Sequence, residues 1–130
     1  MPGGDKGRQI AGWKLPAEER RRLLASFEPR YGRVVADHVT LRFGTNGDTP
    51  LPTETEGEVI GEADDGHGVQ ALVVRIGGTT ERGDTSHFHI TWSLGPGRSA
   101  KESNDVISER GWRTLDAPIP IRLEPERWSY

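Results

Sequence analysis

The chain has no cysteine among its 130 residues, which removes disulfides, thiolate metal ligands and a sulfur nucleophile together, and fits a reducing compartment. It also lacks a basic excess. With 17 Lys and Arg against 20 Asp and Glu, the formal charge is -3, which excludes a protein that grips long nucleic acid by neutralising many phosphates. Any nucleic-acid partner is held locally, at an end. No run of about 18 apolar residues is present, as a membrane span requires, and the opening MPGGDKGRQIAGWKLP has no apolar stretch of signal-peptide length. A soluble, cytoplasmic monomer without membrane contact is expected. Hydrophobic residues are sparse, at 32% with a mean hydropathy of -0.67, yet they cluster in runs instead of being diluted as in a disordered chain. The length suits one domain. Residues 1–12, whose first nine are rich in Gly and charge, read as a flexible N-terminus, and 13–130 as a single folded unit.

What is present starts with a helix. Residues 16–27 (PAEERRRLLASF) open on Pro, tolerated in a first turn, and continue with Glu18 and Glu19, which suit the positive end of a helix. Leu23, Leu24 and Phe27 share a face, and Arg20, Arg21 and Arg22 read as a solvated flank. Residues 33–43 (RVVADHVTLRF) predict a strand with Val39, Leu41 and Phe43 on one side and His38, Thr40 and Arg42 on the other. Thr45 to Glu56 reads as a surface loop bordering it.

GEVIGEA (57–63) and VQALVVRI (69–76) flank DDGHG and predict an antiparallel hairpin with His67 in its turn. After GGTTERGD, a break, SHFHITWSL (86–94) alternates again: Phe88, Ile90, Trp92 and Leu94 against His87, His89, Thr91 and Ser93. KESNDVISER supplies a short helix before Gly111, capped by Ser99 or Ser103, and the proline-rich tail around Ile119 to Leu123 suits an edge strand. The fold class is α+β: mostly antiparallel, two small sheets meeting at a cleft, and an N-terminal helix.

The chemistry lies in a repeat. His38-Val39-Thr40 and His89-Ile90-Thr91 are two His-x-Thr motifs, each on a predicted strand. Spacing of two along a strand puts imidazole and hydroxyl on one face about 7 Å apart along the backbone, so both reach one bound group. Two imidazoles facing each other offer a base and an acid near neutral pH, and hydroxyls can hold non-bridging phosphate oxygens as charge develops. Arg42 adds a forked donor for an oxyanion. This points to in-line phosphodiester cleavage without metal or cofactor. Three imidazoles, His38, His87 and His89, would suffice for zinc, but His at i and i+2 is not diagnostic. His87 otherwise reads as a substrate contact, a supporting partner of His89 or an exposed ring. Lys101, Ser103 and Asn104 follow the second motif closely enough to contact ribose or phosphate, and Tyr31, Trp13, Trp112 and Trp128 are the aromatics free to line a nucleobase pocket. Gly95-Pro96-Gly97 lacks the ending of a triphosphate-binding loop and reads as punctuation.

At these residues the chain resembles the 2H phosphoesterase superfamily, named for its paired His-x-Thr/Ser motifs, one on each of two lobes. HFHITWSLGPGRSAKESNDVI (87–107) and DHVTLRFG around the first motif are similar to the cyclic phosphodiesterase domain of fungal-type tRNA ligases. The resemblance implies opening of an RNA or nucleotide 2′,3′-cyclic phosphate to a 2′-phosphate, with His38 and His89 as acid and base and Thr40 and Thr91 as phosphate ligands; of the two, we read His89 as the base and His38 as the acid. Two other readings remain open: a 2H enzyme cutting cyclic oligonucleotides or oligonucleotide linkages, and a module that binds phosphate ends without turning them over.

Overall fold

A computed structural model describes residues 8–129. In chain order the elements are β1 (Gln9–Lys14), α1 (Ala17–Ser26), β2 (Arg33–Val34), β3 (His38–Thr45), β4 (Glu56–Asp64), β5 (Val69–Arg75), β6 (His89–Leu94), α2 (Glu102–Arg110), β7 (Arg113–Arg122) and β8 (Glu124–Ser129). One sheet runs β3-β1-β8 and the other β2-β6-β5-β4-β7, all neighbours antiparallel. The fold is therefore α+β with two sheets, and β3 meets β6 where they adjoin. Among the described residues no helix is long and apolar enough to cross a membrane.

The first correction concerns the N-terminus. Residues 1–7 lie outside the described residues, but Gln9 to Gly12, assigned to a flexible segment, belong to β1, the central strand of its sheet. Ile10 and Ala11 are buried there, and pairing on both edges satisfies the backbone. Two isolated apolar residues between Gln9 and Gly12 offered too short a pattern to read.

The second correction is that 33–43 is not one strand. Up to Ala36 the chain pairs with the second sheet: Val35 N donates to Trp92 O at 2.9 Å and Ala36 N to Thr91 O at 3.0 Å. Ala36 then takes φ 46, a left-handed conformation that costs energy for a residue with a Cβ. From Asp37 the chain pairs with β1 instead, and Leu15 N donates to Asp37 O at 3.0 Å. Arg20 holds the corner, its guanidinium donating to the Ala36 carbonyl at 2.8 Å and that of Val35 at 3.4 Å. Arg22 is also engaged, on Glu19 and on the Pro120 carbonyl. Two members of the arginine triplet thus tie the helix to the rest of the fold, where a solvated flank was expected.

The helix, the β4–β5 hairpin and the edge strand agree with expectation: β7 closes the second sheet through β4. Leu23 and Phe27 of the α1 segment enter a core with Trp13 and Val39 from the first sheet and Leu72, Val74, Ile90 and Trp92 from the second. Trp92 Nε1 finds the Phe27 carbonyl at 2.8 Å, and Trp13 Nε1 that of Glu54, so both buried indoles keep a partner. The latter bond also fastens the 45–56 loop. A smaller cluster, Val69, Ala71, Val73 and Leu94 under Val106 and Ile107, seats α2 on the opposite face of the second sheet.

Candidate functional site

Each motif strand carries a β-bulge directly after its threonine. In β3, Thr40 pairs with Gly12 and Arg42 with Ala11, leaving Leu41 as the extra residue. In β6, Thr91 pairs with Ala71 and Ser93 with Gln70, leaving Trp92. An extra residue shifts the side-to-side alternation by one from that point on. Phe43 therefore joins His38 and Thr40 on the site side, while Arg42 points to solvent. Leu94 likewise leaves the Ile90 and Trp92 side for that of His89 and Thr91, and Ser93 crosses the other way to bond Gln70. The expected faces hold through Leu41 and Trp92 and invert beyond them.

The two motifs open onto one cavity of about 600 Å³, lined by Ile10, His38, Thr40, Phe43, Arg82, His89, Thr91, Ala100, Lys101, Asn104 and Trp128. Of the residues singled out from the sequence, His38, Thr40, His89, Thr91, Lys101 and Asn104 line it, as does Trp128 among the four aromatics. Arg42, His87 and Ser103 do not, nor do Trp13, Tyr31 and Trp112. Trp13 is core, and Tyr31 donates its hydroxyl to Asp64 at 2.6 Å.

The imidazoles are held by different means. His89 donates Nδ1–H to the His87 carbonyl at 2.8 Å, which leaves Nε2 as the acceptor. Burial is the main reason its pKa falls to about 4, and the nearby Arg82 adds to the effect. His38 Nδ1 lies 3.0 Å from the Asp37 carboxylate, and its ring packs on Trp128 with centroids 4.8 Å apart. Burial lowers its pKa too, but the bond to Asp37 opposes the shift. His87 contributes only its backbone carbonyl: its ring bonds Thr80 Oγ1 at 2.8 Å and packs on Trp112. The three imidazoles considered for zinc do not converge, and no group of three His, Asp or Glu side chains among the described residues does.

Ser103 serves Thr91 instead of a substrate or a helix cap. Its hydroxyl is 2.8 Å from Thr91 Oγ1, and Thr91 Oγ1 also reaches the Ala100 carbonyl at 3.5 Å, so the start of α2 is anchored to the second motif. The cap position is Lys101, without a side-chain cap bond, and Ser99 N donates to Glu102 Oε2 at 2.8 Å. This anchoring is what brings Lys101 and Asn104 to the cavity.

Comparison with family models, with curated proteins and with solved structures gave no match.

Sequence reasoning missed Arg82. It sits in GGTTERGD, which reads as a break because Gly and Asp dominate it, and its guanidinium reaches the cavity from a loop. Asp84 grips that guanidinium at 3.1 and 3.4 Å. Asp84 is itself fixed by the Ser86 hydroxyl, the bond that contributes most to holding its pKa down at about 2. Arg82 also lies over the Phe43 ring, 5.8 Å from its centroid. It thus stands where Arg42 was expected. Among the described residues no Asp or Glu lines the cavity, so two cations and two imidazoles make an environment for an anion within a chain of net charge -3.

Proposed function

We propose that the chain is a phosphoric diester hydrolase of the 2H kind that opens the 2′,3′-cyclic phosphate of an RNA end or nucleotide to a 2′-phosphate, without metal or cofactor. The observation carrying this reading is that both His-x-Thr pairs, 51 residues apart in sequence, line one cavity whose walls hold Arg82 and Lys101 and, among the described residues, no carboxylate.

In the proposed reaction a water oxygen attacks phosphorus, and His89 Nε2 takes the water proton. The bond from phosphorus to the 3′ oxygen breaks in line, and His38 Nε2 gives that oxygen its proton. The assignment follows the environments: His89 is held neutral with Nε2 bare, as a base requires, whereas His38 has a carboxylate behind it that favours the charged acid. Thr40, Thr91 and Arg82 meet the non-bridging oxygens as charge grows on them. Phe43 and Trp128 offer apolar surface to the nucleoside.

Incubation with 2′,3′-cyclic AMP tests the reading. A 2′-phosphate product is expected, with turnover reduced about 10³-fold or more in His38→Ala and His89→Ala while nucleotide binding persists. Intact turnover in both variants would sink it. Binding without turnover in the wild type would indicate a recognition module, and preferential cutting of cyclic di- or trinucleotides a different substrate for the same chemistry.

A further inference from the structure

Behind the Nδ1 edge of His38 the Asp37 carboxylate is shared with a second cation, Lys14, which the proposed reaction does not itself use. Asp37 Oδ2 lies 3.0 Å from His38 Nδ1 and 2.6 Å from Lys14 Nζ, so one carboxylate oxygen takes both donors. Strand register sets this up, because Lys14 pairs directly with His38 across β1 and β3. The backbone of Asp37 is pinned by Leu15 N at 3.0 Å. Trp128 from β8 packs on the imidazole and also lies under the ammonium, 4.6 Å from Nζ to its centroid. A carboxylate can only accept, so Nδ1 carries the ring proton and Nε2 is the nitrogen left for the cavity.

Resting on the phosphodiesterase reading, we propose that Asp37 is a positioning residue for His38 and that Lys14 tunes it: the carboxylate holds Nε2 toward the cavity, and the ammonium on the same oxygen limits how far it favours imidazolium. An ordinary exposed ion pair contributes little and has no direction. Here both positive groups compete for one oxygen, and the consequence is directional. Removing the carboxylate deprives the imidazolium of its adjacent anion, whereas removing the ammonium releases that anion's full effect. Among the described residues, the charges acting on His38 are those of Asp37 and Lys14. His89, from β6, is the titratable ring that senses His38 across the cavity, and Trp128 presents an uncharged face.

The test is an NMR titration of the His38 ring in the full chain, alongside the pH profile of kcat/KM on 2′,3′-cyclic AMP. Above its midpoint, where the ring is neutral, wild-type His38 should show the Nδ1–H tautomer, Nε2 being the nitrogen that gains and gives up the second proton. Asp37→Asn should lower the His38 midpoint and Lys14→Met should raise it, each by about 0.5–1 pH unit. The basic limb of the rate profile, which reports the acid, should follow in the same opposed directions. Asp37→Asn should reduce kcat about tenfold with KM within about twofold, and Asp37→Glu should recover part of it. Midpoints that stay fixed, or that move the same way in both variants, overturn the proposal. If Asp37→Asn does not fold, the upward shift in Lys14→Met decides alone, and its absence is a refutation. Opposed NMR shifts in a chain that never turns over cyclic nucleotide support the pairing and overturn the phosphodiesterase reading instead.

Discussion

His89 gives the residue scale its clearest consequence. With a pKa near 4 it is mostly neutral at pH 5, where an imidazole at the ordinary value of 6.5 is mostly protonated. As the proposed base it must be neutral, so the acid limb of kcat/KM should lie below pH 5. A limb near 6.5 would remove His89 from that role. The two arginines separate just as sharply. Arg82→Ala should lower kcat/KM about 10- to 100-fold, the loss of one charge-assisted contact, while Arg42→Ala should leave it unchanged. Steady-state kinetics on the two variants checks this. The motif residues were legible because residue type and spacing carry their chemistry. Arg82 was not, because its position depends on a loop anchored through Asp84 and Ser86, and no periodicity marks such a loop. Ser103 was noticed but given the wrong partner, since only the fold reveals that it faces Thr91.

At the scale of elements, β1 sets the geometry from below. A Cβ added at Gly12 would lie 2.2 Å from the Val39 carbonyl and 3.0 Å from Leu41 N, both backbone atoms of β3 that cannot swing aside. Gly12→Ala should therefore push β3 away at the bulge and destabilise the chain by about 2 kcal/mol or more, read as a lowered urea midpoint. Ser103→Ala is a milder lesion. It removes the hydroxyl at 2.8 Å from Thr91 and should cost about 1 kcal/mol while loosening the start of α2. Most elements could be read from the sequence, since their apolar patterns are periodic. The errors fell at β1, too short to show a period, and at Ala36, where one strand becomes two because the chain changes sheets.

For the whole molecule, the same buried imidazole links the proposed function to acid stability. His89 has a lower pKa folded than unfolded, so as pH falls from 6.5 toward 4 the unfolded chain takes up the proton first. Stability present above pH 6.5 is lost through that window, by at most about 3 kcal/mol. The lowered pKa of His38 acts in the same direction. Asp84, held at about 2 against 3.8 unfolded, adds a further loss only as pH drops below about 4. Denaturant titrations at pH 7, 5.5 and 4 should show the first loss, and His89→Gln should flatten it. The twin bulges bear on how such a chain can change over time. Each motif strand is read in a frame, and Leu41 and Trp92 are the points where the frame advances by one. Loss of Leu41, the extra residue, would restore regular alternation with both His-x-Thr triplets intact, Phe43 still facing the cavity and Arg42 still facing away, so β3 can lose a codon at this point without losing its aromatic wall.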